Sequence, residues 1–131
     1  MKAKVIELEL DKKIQFIGLL SSREMVDFYK NMDLIVLPIL CESFGLVLTE
    51  TLSLGRPVLV SNKFGALEYI AKGRESLDAI TFNPEDPEEL GYKLLEFEKG
   101  NKLNKSFYQA LYTQNFDKEI IYNKFLRVLE R

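Results

Sequence analysis

Two short apolar runs, Leu34-Ile35-Val36-Leu37-Pro38 and Pro57-Val58-Leu59-Val60-Ser61, flank Phe44-Gly45-Leu46-Val47-Leu48-Thr49-Glu50-Thr51-Leu52-Ser53-Leu54, which closes on Gly55. Neither run alternates apolar with polar residues, so each is expected to be covered on both faces, as central strands of a parallel sheet are. The stretch between them has the length of a crossover helix, and Gly55 is the usual residue at such a terminus. Strand, helix and strand in this order predict a parallel pair, and the fold class is α/β.

On the N-terminal side, residues 14–17 read as a further strand ending at Gly18. Ser21-Ser22-Arg23-Glu24 is a capping box that opens a helix through Asn31, with Ser21 accepting from the Glu24 amide and Glu24 reaching back. On the C-terminal side the pattern predicts a short helix over residues 67–72 and a strand over 79–82. A helix to about Lys99 follows, with Asp86 as its N-cap and Pro87 in its first position. After a break at Gly100-Asn101, helices are expected near residues 105–113 and 117–130, the second with Ile121, Phe125 and Leu129 as one stripe. The aromatic residues of these two helices read as ordinary core packing or as an interface. No repeat or linker divides the chain, so residues 1–131 are expected to form a single domain, with residues 101–131 as its C-terminal helices.

Composition narrows the chemistry. At 131 residues and 47% hydrophobic content, one core is expected to suffice without cross-links. Cys41 is the lone cysteine and His is absent, which excludes an intrachain disulfide, His-dependent triads and His-ligated metal sites. Cys41 itself reads as a small packing residue or a thiol activated beside a helix start. Eighteen Lys and Arg against 20 Asp and Glu, with the signs interspersed, give no basic stripe for nucleic acid. The charged start, Met1-Lys2-Ala3-Lys4, does not read as a secretory signal, and no apolar run approaches the roughly 20 residues of a membrane span. The chain is therefore expected to be cytoplasmic, with any membrane contact peripheral.

In an open parallel sheet, ligands bind beyond the carboxyl ends of the strands. The loops leaving those ends are expected at residues 19–21, 39–43, 62–65 and 83–86, which places Glu42, Ser43, Asn62 and Lys63 on the binding edge. Arg56 enters a strand and lies on the opposite edge. Ser43-Phe44-Gly45 leads into a helix whose first amides lack internal partners and whose dipole favours an anion. Gly45 has no side chain to hold a ligand away, or serves only a tight turn. Glu50 lies roughly two turns in, on a face shared with Leu46, Val47 and Leu54. The bland alternatives are a Glu42 carboxylate satisfied by the helix amides behind it and a merely solvated Glu50.

Residues 42–50, running from Glu42 through Ser43, Phe44, Gly45 and Leu46 to Glu50, resemble the motif of two Glu separated by seven residues in retaining GT-B glycosyltransferases of family four, the group 1 glycosyl transferases. The interval alone is unspecific, since Glu88 and Glu96 repeat it. The order of Leu34-Ile35-Val36-Leu37-Pro38, Gly55-Arg56-Pro57-Val58-Leu59-Val60-Ser61, Phe64-Gly65-Ala66-Leu67-Glu68 and Asn83-Pro84-Glu85-Asp86 around it carries the likeness.

The resemblance implies a Rossmann-like parallel sheet with flanking helices, a truncated half of a GT-B donor domain. It implies transfer of a hexosyl group from a nucleoside diphosphate sugar with retention, and no cofactor or metal. By it, Glu42 contacts hydroxyls of the donor sugar as the catalytic-centre residue, and Glu50 holds the ribose hydroxyls. The amides of Phe44, Gly45 and Leu46, with Ser43 before them, face sugar and diphosphate. The backbone at Leu19 and Leu20 meets the base, and Lys63 is the cation on the motif's edge. Phe64 replaces a usual Gly, and Ile39 stands where Ser or Thr often follows the Pro.

By the resemblance, the family's acceptor domain, and two leading donor-domain strands whose loops bring an Arg and a Lys, are expected to have no counterpart in residues 1–131, while residues 5–11 match the end of the helix before the third strand. In the strand order 3-2-1-4-5-6 the strand at residues 14–17 then lacks a neighbour. An open edge is expected, met by a complementing polypeptide, by a homodimer, or by a rearranged sheet that sets residues 14–17 beside 34–38. The alternative function is a non-catalytic interaction or complementing module. In either case the chain alone is expected to be inactive or nearly so.

Overall fold

A computed structural model describes residues 1–100 and 103–129. Its sheet has three parallel strands, β1 (Ile35–Leu37), β2 (Val58–Ser61) and β3 (Thr81–Phe82), in the order β1-β2-β3. Ile35 stands opposite Val58 and Leu37 opposite Val60, while Val60 meets Thr81 on the other side. Every residue of β2 is buried, as a strand without alternation should be in the middle of a sheet.

The described residues also form the α-helices α1 (Lys2–Glu7), α2 (Ser22–Asn31), α3 (Leu46–Ser53), α4 (Pro87–Glu98), α5 (Lys105–Asn115) and α6 (Lys118–Leu129). The crossover α3 lies between β1 and β2 in the chain and ends before Gly55, whose φ is 64°. It buries Leu48 and Leu52 and packs on α5, so that Tyr108 and Leu111 join Val58, Val60 and Ile80 in one core. Burial pushes the Tyr108 phenol up to about 12. At α4 the Asp86 carboxylate accepts from the amides of Glu88 and Glu89, with Pro87 at the start. No helix among the described residues is long and apolar enough to cross a membrane.

The capping box at α2 forms as its sequence predicts. Glu24 accepts from the Ser21 amide at 2.8 Å and the Ser21 hydroxyl at 2.6 Å, while the Glu24 amide donates to Ser21 Oγ at 3.4 Å. Those two bonds from Ser21 hold the Glu24 carboxyl below its ordinary range. Ser21→Ala is expected to cost about 1 kcal/mol of stability, read as a lower denaturation midpoint. A depressed carboxyl stabilises above its unfolded value and loses that contribution as the pH falls, so the deficit narrows in acid.

Four expectations are corrected. Residues 14–17 form no strand: Ile14, Phe16 and Ile17 are 41%, 43% and 47% exposed, and no neighbouring backbone offers them a ladder. The rearranged sheet does not occur either, since the only strand paired with β1 among the described residues is β2. The expected helix at 67–72 is a 3₁₀ turn at Gly65–Tyr69, and a second 3₁₀ turn, Arg74–Ala79, occupies what read as loop and takes Ala79 from the strand expected over 79–82, which begins at Thr81. Asn101, Glu130 and the side chains of Phe125 and Leu129 lie outside what is described.

Candidate functional site

Beyond the carboxyl ends of β1 and β2 the two chain segments stay zipped together. The Glu42 amide donates to the Lys63 carbonyl at 3.3 Å, the Gly65 amide to the Glu42 carbonyl at 2.9 Å, and the Ala66 amide to the Phe44 carbonyl at 2.9 Å. Two glycines permit this closeness. A Cβ on Gly65 would collide with the Ser43 carbonyl, and one on Gly45 would enter the buried ring of Phe64. Gly45 also holds φ at 88°, a region most L-residues avoid. The loop that carries Glu42 is therefore fixed by backbone before any ligand arrives.

Gly45 caps α3 without a side chain, and no acidic residue occupies the first turn, so the leading amides keep their affinity for an external anion. Glu42 Oε1 accepts from the Ser43 hydroxyl and the Phe44 amide, both at 3.4 Å, longer than the usual hydrogen-bond distance. Glu42 is half-buried, and Oε2 accepts no hydrogen bond among the described residues. The self-satisfied arrangement is thus present but weak, and the carboxylate keeps capacity for hydroxyls.

Glu42, Ser43 and Phe64 line two clefts. The smaller, about 400 Å³, is completed by Leu37, Ile39, Phe44, Gly45, Leu46 and Val47. Glu50 lines neither cleft; it is exposed one turn past Leu46 and Val47 on α3. Its nearby charge, after burial, raises the phenol of Tyr29, whose buried hydroxyl has no hydrogen-bond partner among the described residues. Leu20 is half-buried beside a fully exposed Leu19, outside both clefts.

The larger cleft, about 690 Å³, takes Lys63 and Asn62 from the loop after β2, and Glu68, Tyr69, Arg74 and Asp78 from the two 3₁₀ turns. Lys63 is thus not alone: Arg74 shares its cleft. Sequence reasoning missed Arg74 because Lys72-Gly73-Arg74 reads as a helix stop followed by loop. The available signal was Gly73, whose φ of 82° begins the second turn.

Residues 1–114 match the family described as glycosyl transferases group 1. Mannosylfructose-phosphate synthase of Agrobacterium fabrum is 32% identical over 103 residues, 79% of this chain and 22% of its own length. D-inositol 3-phosphate glycosyltransferase of Corynebacterium efficiens is 36% identical over 72 residues, 55% of this chain and 17% of its own. Among solved structures, sucrose-phosphate synthase from Thermosynechococcus elongatus superposes with a TM-score of 0.72 at 19% identity, over 98% of this chain and 32% of that one. That likeness concerns the fold. The chain spans about a fifth of the length of these curated relatives.

Proposed function

The chain belongs to the group 1 glycosyl transferases, and from that membership we propose that it carries half of the site for a nucleoside diphosphate sugar. The observation that supports this most is the backbone-fixed Glu42 loop running into the uncapped start of α3. In this reading the amides of Phe44, Gly45 and Leu46, with the Ser43 hydroxyl, face the sugar and its diphosphate. Glu42 takes sugar hydroxyls, and Glu50, one turn further along the exposed face, takes the ribose hydroxyls. An ionised carboxylate suits a vicinal diol because it accepts two hydrogen bonds side by side. Lys63 brings positive charge to the rim, and the backbone near Leu20 meets the base.

The reaction is hexosyl transfer with retained configuration, completed by polypeptide that supplies the acceptor site and further cations. It asks the protein for positioning and for donors aimed at the departing diphosphate rather than for a nucleophile. Turnover by this chain alone is expected to be absent or very low. A second reading, a non-catalytic complementing module, is favoured by the edge of β1 that no strand pairs among the described residues and by the exposed Ile14, Phe16 and Ile17. A strand-donating partner, including a second copy of this chain, would cover that edge.

The two readings separate in one experiment: thermal unfolding of the purified chain with UDP, GDP, ADP and their sugars, beside Glu50→Ala. One nucleotide at about 100 times its dissociation constant is expected to stabilise by about 2.7 kcal/mol, and Glu50→Ala to abolish the shift. A folded chain indifferent to every nucleotide would leave only the complementing module.

A further inference from the structure

The larger cleft holds side chains that core packing does not account for. Tyr69 ends the first 3₁₀ turn and is 57% exposed, yet its ring is seated edge-on against Phe44, with centroids 5.5 Å apart and planes at 65°. Phe44 in turn meets Phe116, the residue that closes α5, edge-on. An aromatic ring serving the core would be covered; this one is braced through Phe44 and opens on the cleft. Around it stand Lys63, Glu68, Arg74 and Asp78, all exposed. Opposite charges share the cleft, but among the described residues none of these four side chains makes a hydrogen bond or ion pair. Their backbone is constrained by the two 3₁₀ turns and by the zipped loops beneath, so little ordering remains for a ligand to impose.

We propose that this cleft binds a neutral pyranoside, with Tyr69 as the stacking face and Glu68, Arg74 and Asp78 as partners for the ring hydroxyls. Sugar rings present C–H groups on one face and hydroxyls around the rim, which an open aromatic ring and planar polar side chains meet together. Carboxylates accept from adjacent hydroxyls and the guanidinium donates. The charge balance selects a neutral ligand over a phosphate: Lys63 and Arg74 offset Glu68 and Asp78, and Glu42 at the shared wall adds a further negative charge. A volume of about 690 Å³ lies within the range of small-molecule pockets. Glu42 and Ser43 border both clefts, so a pyranoside here stands beside the place of the donor sugar; that last step rests on the donor reading.

The test is amide-resolved NMR titration of the full chain with the methyl α-pyranosides of glucose, mannose and galactose and with N-acetylglucosamine, up to about 100 mM, enough to saturate a millimolar site. Saturable shifts centred on the cleft segments 40–43 and 62–81 are expected with at least one sugar. Tyr69→Ala is expected to weaken binding about tenfold while Tyr69→Phe retains it, because stacking needs the ring and not the hydroxyl. The pair Glu68→Gln and Asp78→Asn, at exposed positions that leave the fold intact, is expected to weaken it as well. No saturable shift with any of the four sugars, or binding indifferent to these substitutions, overturns the proposal. Nucleotides titrated in parallel report the donor half-site through Glu50→Ala, so its failure and that of the pyranoside site are read separately.

Discussion

Gly65→Ala is expected to destabilise the protein by about 3 kcal/mol and to remove any nucleotide response with it. The position a methyl group would take at residue 65 is already occupied by the carbonyl of Ser43, a backbone group that no rotamer change can move aside. The loop from β1 and the loop from β2 would have to part. Parting breaks the Gly65 to Glu42 and Ala66 to Phe44 hydrogen bonds, which are what carry the parallel pairing past the ends of the strands. Glu42 and the approach to α3 then lose their fixed spacing from Phe64. Gly91→Ala is the control, since a Cβ there meets nothing within 4 Å and the residue sits inside α4. That substitution is expected to be neutral or to gain up to about 1 kcal/mol. Denaturation midpoints of the two variants measured side by side decide the matter: if Gly65→Ala behaves like Gly91→Ala, the loops are not locked as described.

The contrast between these glycines also marks how much was legible in the sequence. Runs buried on both faces give the strands away, and β1, α3 and β2 fall where Leu34, Gly55 and Pro57 place them. Local capping chemistry is equally readable, because Ser21 with Glu24 and Asp86 with Pro87 act within a few residues of themselves. Residues 14–17 have the composition of a strand, but a strand needs a partner, and a partner is a property of other chain segments. The 3₁₀ turns at Gly65–Tyr69 and Arg74–Ala79 lack the apolar periodicity that announces a helix, so Tyr69, Arg74 and Asp78 reach the same cleft as Lys63 without a local signal. Glu42, Gly45 and Lys63 were legible as an edge because strand ends order them. The two clefts on that edge, which share Glu42, Ser43 and Phe64, were not, since they depend on how segments distant in the chain pack together.

Asn115 shows the same limit at the level of stability, for a lone Asn at the end of an aromatic helix reads as nothing more than a weak helix former. In the structure it is 1% exposed and fully used. Its Oδ1 accepts from the amides of Ala71 and Lys72 at 2.9 and 3.0 Å, and its Nδ2 donates to the carbonyls of Lys72 and Leu111 at 3.0 and 2.9 Å. Both acceptor sites and both donors of the amide are satisfied, and three of the four bonds tie α5 to the segment between the two 3₁₀ turns. Asn115→Leu keeps the bulk but strands two amides and a carbonyl, each worth about 1–3 kcal/mol when buried and unpaired. Residues 71 and 72 are exposed, so water recovers part of the loss, and about 3 kcal/mol is the expected cost. Asn115→Asp separates hydrogen bonding from size. An ionised carboxylate keeps both acceptances but turns an oxygen toward the two carbonyls, while the protonated form restores one donor. Burial raises such a carboxyl above its unfolded value, so the folded state gains stability as the pH falls through that range. The Asn115→Asp deficit is therefore expected to shrink in acid, whereas the Asn115→Leu deficit stays level over the same interval. Equal deficits for the two at every pH would show that Asn115 fills space and does not hold the segment between Tyr69 and Arg74.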